Sequence, residues 1–297
     1  AKVSRLKMKV LITGANGQVG WELVKQVESR GVDFCAFNRT ELDISNTHAV
    51  ERAIAINKPD IVINAAAYTE VDKAEEESEL AYAVNRDGVA NLAKACKAAQ
   101  IPIIHISTDY VFDGTKDGAY TENDVTNPLG IYGKSKLAGE QALQEIWPYH
   151  IILRTSWVFS SHGNNFVKTM LRLAKEREEL SVVADQYACP TSAQAISEAI
   201  LHSAPQLIAS TQKSGTYHFC QPEPTNWHEF SQAIISTAKE FTRLNVKAIQ
   251  KITTDQFPTK AKRPTNSVMS AEKFIETFQF EIPTWNMALR QVLKEIL

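Results

Sequence analysis

A tyrosine and a lysine four residues apart, Tyr132 and Lys136, form a pair whose types and spacing suit acid–base chemistry. Asn127 and Pro128, just before them, are a favourable helix start, because Asn caps helices and Pro fits the first turn. Side chains four residues apart on a helix lie on one face. An ammonium group stabilises a phenolate, so we expect Lys136 to lower the pKa of Tyr132 from its usual value of about 10. Such a pair also occurs by chance, so its context matters.

A hydroxyl group that can assist this pair belongs to Thr108, which follows a β-branched run at 101–107. The run reads as the fourth strand of a sheet, so Thr108 and its neighbour Asp109 stand at the carboxyl end. Ligands bind at that edge in open α/β sheets. A threonine at a strand end is structural more often than not, but this hydroxyl group can hold a carbonyl oxygen beside Tyr132. We predict Thr108, Tyr132 and Lys136 as catalytic residues.

Three glycines follow the first predicted strand at three-residue spacing, at Gly14, Gly17 and Gly20. In a strand–turn–helix unit, the first permits a tight turn, the second lets the backbone approach a pyrophosphate, and the third lets the helix pack closely on the sheet. The helix N-terminus then presents free N–H groups to the phosphates. The position of this triplet in a βαβ unit predicts a dinucleotide site. No GKS or GKT follows, which excludes a P-loop nucleoside triphosphatase.

The end of the second predicted strand bears on which dinucleotide binds. Sites selective for NAD place an acid there, on the ribose 2′-hydroxyl group, whereas this chain has Asn38 and Arg39. Arg39 could bind a 2′-phosphate through a charge-assisted contact, and a solvated surface arginine is the equal alternative. We predict NADPH over NADH as the cofactor, with NADH left open. Asp43 and Ile44 are expected to flank the adenine.

These residues lie within a regular alternation of short β-branched runs and segments with helical spacing. Continuous apolar strands separated by helices indicate βαβ units with a parallel sheet buried on both faces. The predicted strands are 9–13, 32–37, 60–64, 101–107, 150–154 and 180–185. The predicted helices are 18–30, 48–57, 79–100, 129–146 and 166–177. The fold class is therefore α/β, a doubly wound (Rossmann) parallel sheet of six strands.

The pattern changes beyond about residue 185, where the loops become longer and rich in Pro, Thr, Gln and Lys. The predicted elements there are helices at 193–203, 227–241 and 285–296 and strands at 215–220 and 246–252. We read them as a smaller C-terminal α/β lobe. The expected division is a dinucleotide-binding domain at 1–157 and a mainly substrate-binding lobe at 158–297. The strand near 180–185 and the helix near 193–203 are expected to return to the first domain.

Length and composition exclude several other classes of protein. The 297 residues suit about two folding units, and 44% hydrophobic with 22% charged residues can bury a core, which excludes a disordered or fibrous chain. The 32 basic and 34 acidic residues give a net charge of −2, so no global charge draws nucleic acid or an anionic membrane. No apolar run approaches the ~20 residues of a membrane helix.

The cysteines and the N-terminus bear on the cellular location of the protein. The four cysteines form no CxxC pair, and the seven histidines show no metal-binding spacing, so we assign no metal ligand. Scattered thiols suit a reducing compartment, and we expect a cytoplasmic protein. The basic N-terminus lacks the apolar stretch of a signal peptide. We set residues 1–8 apart as an extension before the first strand pattern, which begins at Lys9.

With these residues the chain resembles the extended short-chain dehydrogenase/reductase superfamily and, within it, the family of dTDP-4-dehydrorhamnose reductases. The resemblance runs from about Met8 to the C-terminus. It is carried by TGANGQVG (13–20), NAAAYTEVDKAE (64–75), STDYVFDG (107–114), YGKSKLAGE (132–140), RTSWVF (154–159), NNFVKTML (164–171), DQYACPT (185–191) and KRPTNSVM (262–269). It implies a small-molecule nucleotide-sugar substrate, dTDP-4-dehydro-β-L-rhamnose, whose C4 carbonyl is reduced by hydride from the dinucleotide.

The resemblance also implies roles for individual residues. Tyr132 would donate the proton, Lys136 would tune it and bind the nicotinamide ribose, and Thr108 would hold the carbonyl group. The residues that would line the cofactor groove are Gly14, Gly17, Gln18, Val19, Gly20, Asn38, Arg39, Asp43, Ile44, Ala65, Ala66 and Ala67, together with Tyr132 and Lys136. The residues that would meet the substrate are Thr108, Asp109, Tyr110, Trp157 and, at its diphosphate, Arg263. A homodimer is expected, and some members place Mg²⁺ between subunits, although no residue here is assigned to it.

Several alternatives stay open. The NADP-binding regulatory subunit of methionine adenosyltransferase resembles the chain along its whole length, although the retained catalytic residues favour an enzyme. A reductase of opposite C4 stereochemistry, of the 6-deoxytalose type, would share the same motifs. Trp157 reads equally well as a core residue, and Arg263 as a solvated loop residue. The acidic run at 72–79 is most simply a solvated helix start.

Overall fold

The computed structural model describes residues 8–297. Its strands are β1 (Lys9–Thr13), β2 (Asp33–Phe37), β3 (Ile61–Asn64), β4 (Ile103–Thr108), β5 (His150–Thr155), β6 (Val158–Phe159), β7 (Glu179–Val183), β8 (Tyr187–Ala188), β9 (Thr191–Ser192), β10 (Gly215–His218), β11 (Thr225–Asn226) and β12 (Ala248–Ile252). Its α-helices are α1 (Gln18–Arg30), α2 (Thr47–Asn57), α3 (Ser78–Tyr82), α4 (Val89–Ala99), α5 (Ile131–Ile146), α6 (Phe166–Glu176), α7 (Ala193–Ala209), α8 (Trp227–Ala238), α9 (Glu272–Phe278) and α10 (Trp285–Ile296). Of the extension proposed at residues 1–8, only Met8 lies within the described residues.

The central sheet has six parallel strands in the order β10-β5-β4-β3-β1-β2. Strands β3 and β5 are buried along their whole length, as expected of a sheet covered on both faces. Helices α1 and α7 cover one face, and α2, α4 and α5 cover the other. The predicted doubly wound α/β fold is therefore confirmed. The strand order reverses between β1 and β3, and ligands bind above such a reversal.

Short polar residues fix where several of the helices begin. The side-chain oxygens of Asn46, Asn165, Ser192 and Asn226 each accept a hydrogen bond from a backbone N–H group in the first turn of α2, α6, α7 and α8. Such caps satisfy one of the N–H groups that a helix start leaves without a partner. No helix within residues 8–297 is long and apolar enough to cross a membrane.

A second hydrophobic core lies apart from the sheet. It is built from α6, α8 and α10 together with β7 and β12, which pair in parallel as a small sheet of their own. Phe230, Ile234 and Leu289 are almost fully buried in it. The main cleft takes its lining residues both from the side of the central sheet and from the side of this second core.

The prediction for the sixth strand of the central sheet was wrong. The segment at 180–185 contributes β7, which pairs with β12 and does not return to the first domain. Its burial alternates, with Leu180 and Val182 packed inward and Glu179 and Ser181 exposed, unlike a strand covered on both faces. The sixth strand is β10, because α7 packs against α1 and brings the chain back beside β5.

The helix that carries Tyr132 begins later than predicted. Gly130 is its N-cap and supplies no side-chain hydrogen bond, while Asn127 lies in the preceding loop and bonds to Asp113. The first N–H group of α5, at Ile131, donates instead to a carboxylate oxygen of Glu75 at 2.7 Å. A carboxylate suits this position because the N-terminal end of a helix is positive. Glu75 belongs to the acidic run that was read as solvated.

Candidate active site

The glycine turn between β1 and α1 is packed so tightly that two of its glycines cannot be replaced without movement. Gly14 has φ +70°, and a Cβ there would lie 2.5 Å from the backbone nitrogen of Ala66. A Cβ on Gly20 would lie 2.0 Å from the carbonyl oxygen of Gly14. A Cβ on Gly17 would meet nothing nearer than 3.4 Å, because this residue borders the main cleft.

The start of α1 fits an anionic ligand. Gly17 is the N-cap and offers no side chain to the free N–H groups of the first turn. Unsatisfied N–H groups at a helix start form a ready site for phosphate. Gln18 and Val19 line the same part of the cleft, as predicted residues of the pyrophosphate cradle.

A side cavity of ≈ 190 Å³ extends from the glycine turn towards the end of β2. Among the residues that line it are Gly14, Gly17, Arg39, Asp43, Ile44, Ala65, Ala66 and Ala67. The Arg39 side chain is exposed at its rim, and Ile44 is buried in its wall. The Asn38 side chain is not part of this lining, because its oxygen accepts hydrogen bonds from Thr40 and Glu41 and closes the loop. Of the residues predicted for this end of the cofactor, Asn38 and Gly20 line neither the side cavity nor the main cleft, and Gly20 instead packs against the Gly14 carbonyl oxygen.

The predicted catalytic residues meet in the main cleft, which measures ≈ 580 Å³ and also borders the glycine turn. Thr108 ends β4, and α5 runs beside it and presents Tyr132 and Lys136 to the same space. The Lys136 side chain is only 3% exposed, and its ammonium group donates to the carbonyl oxygen of Ile106 at 2.6 Å. Burial lowers the pKa of Lys136 to about 8, while Glu140 opposes that change.

The expectation that Lys136 lowers the pKa of Tyr132 was wrong for this structure. Burial raises the pKa of Tyr132 to about 12, hydrogen bonding with Thr108 opposes this, and Asp109 adds to it. The lysine does not counteract the burial, because its ammonium group is directed at the Ile106 carbonyl oxygen. A phenol in this setting keeps its proton at neutral pH, which suits a proton donor.

The Thr108 hydroxyl group is held by its neighbours. It donates to Oδ1 of Asp109 at 3.1 Å and accepts from the backbone N–H group of Tyr110 at 3.1 Å. The other carboxylate oxygen of Asp109 accepts from the hydroxyl group of Ser267 at 2.5 Å. Asp109 is 2% exposed, and this burial raises its pKa to about 7. A carboxyl group that titrates near neutrality thus lies next to the predicted catalytic residues.

Aromatic side chains also line the main cleft. Trp157 stacks on Trp227 with ring centroids 3.5 Å apart, and Tyr110 meets Tyr132 edge to face at 5.9 Å. Trp157 has φ +44°, a left-handed conformation that costs a residue with a side chain roughly 1–3 kcal/mol. Such strain is common at binding sites. All of these rings line the cleft, so Trp157 lies at the site while it also packs against the second core.

Arg263 does not line the main cleft. Its guanidinium group donates to both carboxylate oxygens of Asp72, at 3.0 and 2.8 Å. This pairing lowers the pKa of Asp72. Arg263 lines a neighbouring cavity of ≈ 410 Å³ together with Lys262, Thr254 and residues 257–259. Diphosphate binding by Arg263 therefore stays a prediction. To bind a diphosphate, the guanidinium group would have to give up one or both of its hydrogen bonds to Asp72.

Two further residues with hydroxyl groups, Ser107 and Thr155, line the cleft. The side-chain oxygens of Ser107 and Thr155 are buried, and neither has a partner among the described residues. Both residues line the main cleft at the carboxyl ends of adjacent strands. An unsatisfied buried polar group costs roughly 1–3 kcal/mol. These groups, the glycine turn and the free start of α1 together fit a polar dinucleotide.

Sequence reasoning missed the residues that reach the site from far along the chain. Ser267 holds Asp109, and Glu75 begins the catalytic helix. His162 stacks on Trp21 at 4.9 Å and donates to the Asn16 carbonyl oxygen at 2.9 Å, so its loop covers the glycine turn. No local spacing could have indicated these contacts, because each joins segments more than fifty residues apart.

Potential metal ligands are not grouped in the part of the chain that the structure describes. Among residues 8–297, no three His, Cys, Asp or Glu side chains lie where they could hold a metal ion together. The resemblance allows Mg²⁺ only between subunits, so this ion stays a prediction about an assembly.

Comparison with known proteins agrees with this geometry. The family model described as RmlD substrate binding domain matches residues 8–297. A dTDP-4-dehydrorhamnose reductase of Aggregatibacter actinomycetemcomitans is 46% identical over 96% of this chain and 98% of that protein. The reductase of that name from Salmonella typhimurium is 40% identical over 97% and 98%. A crystal structure of dTDP-4-dehydrorhamnose reductase from Bacillus anthracis in complex with NADP superposes with a TM-score of 0.90, at 38% identity over 98% of this chain and 100% of that chain. The chain therefore belongs to the RmlD substrate binding domain family, alongside the dTDP-4-dehydrorhamnose reductases.

Proposed function

We propose that this protein is an NADPH-dependent reductase that converts dTDP-4-dehydro-β-L-rhamnose to dTDP-L-rhamnose. The observation that carries the proposal is one continuous cleft that joins the glycine turn to Thr108, Tyr132 and Lys136. The relatives named above are all dTDP-4-dehydrorhamnose reductases, and they match nearly the whole chain. Fold and cleft alone would suit many carbonyl substrates, so the sugar is inferred from the relatives.

The cofactor would lie across the carboxyl ends of β1, β3 and β4. Its pyrophosphate would meet the start of α1, and its adenine would occupy the side cavity beside Asp43 and Ile44. Arg39 stands at the rim of that cavity, where it can pair with a 2′-phosphate. The NADP complex of the Bacillus anthracis relative supports NADPH as the natural cofactor.

Tyr132 and Lys136 would carry out the proton chemistry. A bound NADPH would supply the hydride to C4 of the sugar. Tyr132 gives its phenolic proton to the carbonyl oxygen as negative charge builds there. Its pKa of about 12 ensures that this proton is present at neutral pH. Lys136, whose pKa is about 8, is still mostly charged and orients the ribose hydroxyl groups.

The substrate would enter from the side of the second core. Trp157, Trp227 and Tyr110 offer aromatic surface for a nucleotide or a sugar. We propose that residues 158–297 mainly serve substrate binding, with α7 and β10 belonging to the first domain. Cytoplasmic location, a homodimer and Mg²⁺ between its subunits are proposed with it, the first because all four cysteines are free thiols.

One assay separates the proposal from its alternatives. Enzymatically prepared dTDP-4-dehydro-β-L-rhamnose is mixed with the protein and NADPH or NADH, dihydronicotinamide absorbance is followed, and the product is identified by NMR. We expect faster oxidation of NADPH and a product with rhamnose stereochemistry at C4. A talose product would instead establish the 6-deoxytalose type. Tight NADP binding without turnover, together with co-purification of a methionine adenosyltransferase, would establish the regulatory subunit.

A further inference from the structure

A buried chain of side-chain hydrogen bonds runs from the second half of the protein to the predicted catalytic threonine. Ser267 donates to Oδ2 of Asp109 at 2.5 Å, and Thr108 donates to Oδ1 of the same carboxylate at 3.1 Å. All three residues are at least nine-tenths buried. Ser267 and Asp109 are 158 positions apart in sequence, so the tertiary fold alone creates the chain.

This arrangement decides what Thr108 can offer a ligand. A hydroxyl group has one proton to donate and two lone pairs that accept. With Asp109 ionised, the Thr108 proton is committed to the carboxylate. Thr108 then presents only an acceptor to Tyr132 and the cleft, and an acceptor repels the oxygen of a carbonyl group that is being reduced.

Protonation of Asp109 reverses the direction of this hydrogen bond. A neutral carboxyl group has one O–H donor. With its proton on Oδ1, Asp109 donates to Thr108, and the hydroxyl proton of Thr108 is released to the cleft. The Ser267 hydroxyl group still donates to Oδ2 and holds the carboxyl plane in place. Thr108 can then donate to the developing oxyanion beside Tyr132.

We infer that Asp109, held by Ser267, is a positioning residue that sets the direction in which Thr108 donates, and that the enzyme works with Asp109 neutral. The inference rests on the proposed reductase function. It assigns Asp109 an action through Thr108 and not through its own contact with the substrate.

The surroundings of Asp109 make this reversal accessible near neutral pH. Burial raises the pKa of Asp109 to about 7, while the hydrogen bonds from Ser267 and Thr108 lower it. The titratable and charged groups packed around it are Tyr110 beside it, Tyr132 on α5, Cys220 after β10, and Arg263, whose charge acts on Tyr110. The two phenols and the thiol stay neutral at neutral pH, because their pKa values are raised. The Arg263 charge is paired with Asp72.

The direction of the pH effect follows from this. Above about pH 7 the ionised form of Asp109 predominates, so kcat should fall as pH rises, by about tenfold between about pH 6 and about pH 8. Deprotonation of Lys136, with a pKa of about 8, adds about a twofold decrease by about pH 8. KM for the sugar should change less than kcat, because the lost hydrogen bond strengthens in the transition state.

The test compares pH profiles of the wild type and Asp109→Asn with dTDP-4-dehydro-β-L-rhamnose and NADPH. An asparagine amide donates permanently, so it imitates the neutral carboxyl group towards Thr108 while its oxygen accepts from Ser267. We expect kcat of Asp109→Asn to fall by no more than about twofold over the range in which the wild type falls at least about tenfold. A tenfold decrease in the variant, or no turnover at any pH from a protein of normal Tm, would overturn the inference.

A second variant tests the same carboxyl group without changing it. Ser267→Ala removes a hydrogen bond that lowers the pKa of Asp109, so the alkaline decrease should move to higher pH. Ser270→Ala is the matched control on the same segment, and its profile should match the wild type. If kcat of Ser267→Ala decreases at the same pH as kcat of the wild type, the inference is also overturned. Absence of turnover in the wild type itself would refute the proposed function and the inference that rests on it, whereas turnover with identical profiles refutes the inference alone.

Discussion

The two ends of the main cleft are built in different ways. At the cofactor end, the glycine turn is made by neighbours in sequence, since Gly17 and Gly20 both lie against the carbonyl oxygen of Gly14. At the substrate end, the wall is assembled from distant segments. Trp157 stacks on Trp227 across 70 positions, and Ser267 bonds to Asp109 across 158. A local motif therefore reveals the first end, and only folding creates the second.

The two ends also differ in the kind of contact that holds them together. The glycine turn is rigid because backbone atoms touch backbone atoms, and such contacts cannot relax by a change of side-chain rotamer. The substrate wall depends on individual side-chain contacts between two separately packed cores. Changes at the first end should therefore affect stability and cofactor binding together, and changes at the second should affect function while leaving most of the stability.

The largest effect is expected where both ends meet, at Tyr132. Tyr132→Phe removes the proton donor, and kcat should fall by roughly 10³-fold, within the range for general acid catalysis. Affinity for NADPH, measured by fluorescence titration, should change little, because the ring and α5 remain. Tyr110→Phe is the matched control, since its ring packs against Tyr132. Near-normal turnover of Tyr132→Phe would remove the tyrosine from the mechanism.

Two glycine substitutions can separate the contribution of the glycine turn to stability from its contribution to NADPH binding. Gly20→Ala forces a Cβ against the Gly14 carbonyl oxygen, so the free energy of unfolding should fall by about 1–3 kcal/mol and NADPH affinity by more than about tenfold. Gly17→Ala meets no protein atom closer than 3.4 Å, so it should weaken NADPH binding at unchanged stability. Urea unfolding and fluorescence titration measure both quantities. If the free energy of unfolding fell equally in the two variants, this separation would be contradicted.

Arg39 tests cofactor selection at the rim of the side cavity. Arg39→Ala should raise KM for NADPH by about tenfold, the value of one charge-assisted contact of ~1.4 kcal/mol, and leave KM for NADH unchanged. Arg52→Ala, an exposed arginine on α2, is the control. If Arg39→Ala changes KM for NADPH and KM for NADH equally, the arginine is a solvated surface residue.

The smallest effect is expected from the loop that crosses between the two ends. His162→Ala removes the stack on Trp21 and the hydrogen bond to Asn16, so the loop should close less often over the cofactor. We expect about threefold faster release of NADPH in stopped-flow experiments, with the free energy of unfolding changed by less than about 1 kcal/mol. His48→Ala, exposed on α2, is the control. Unchanged release rates would show that this loop does not retain the cofactor.

Several parts of the fold could be predicted because the signal is local. The first five strands of the sheet were found from β-branched runs bounded by helices, and α10 was placed at its observed bounds. The sixth strand was misassigned because 180–185 and 215–220 are both short apolar runs, and their local patterns do not say which sheet each joins. The start of α5 was misplaced because its N-terminal partner, Glu75, lies 56 positions away.

The order of the amino acids alone determined which chemical groups exist and which local units form. It set the glycine turn, the one-face placement of Tyr132 and Lys136, and the strand that delivers Thr108, because these depend on steric and helical rules acting over a few residues. The tertiary structure decided the protonation of those groups and the hydrogen bonds they make. Burial raises the pKa of Tyr132 and of Asp109, and Ser267 reaches Asp109 from the other end of the chain. Desolvation and long-range contacts exist only once the two cores have packed, so no local pattern can report them.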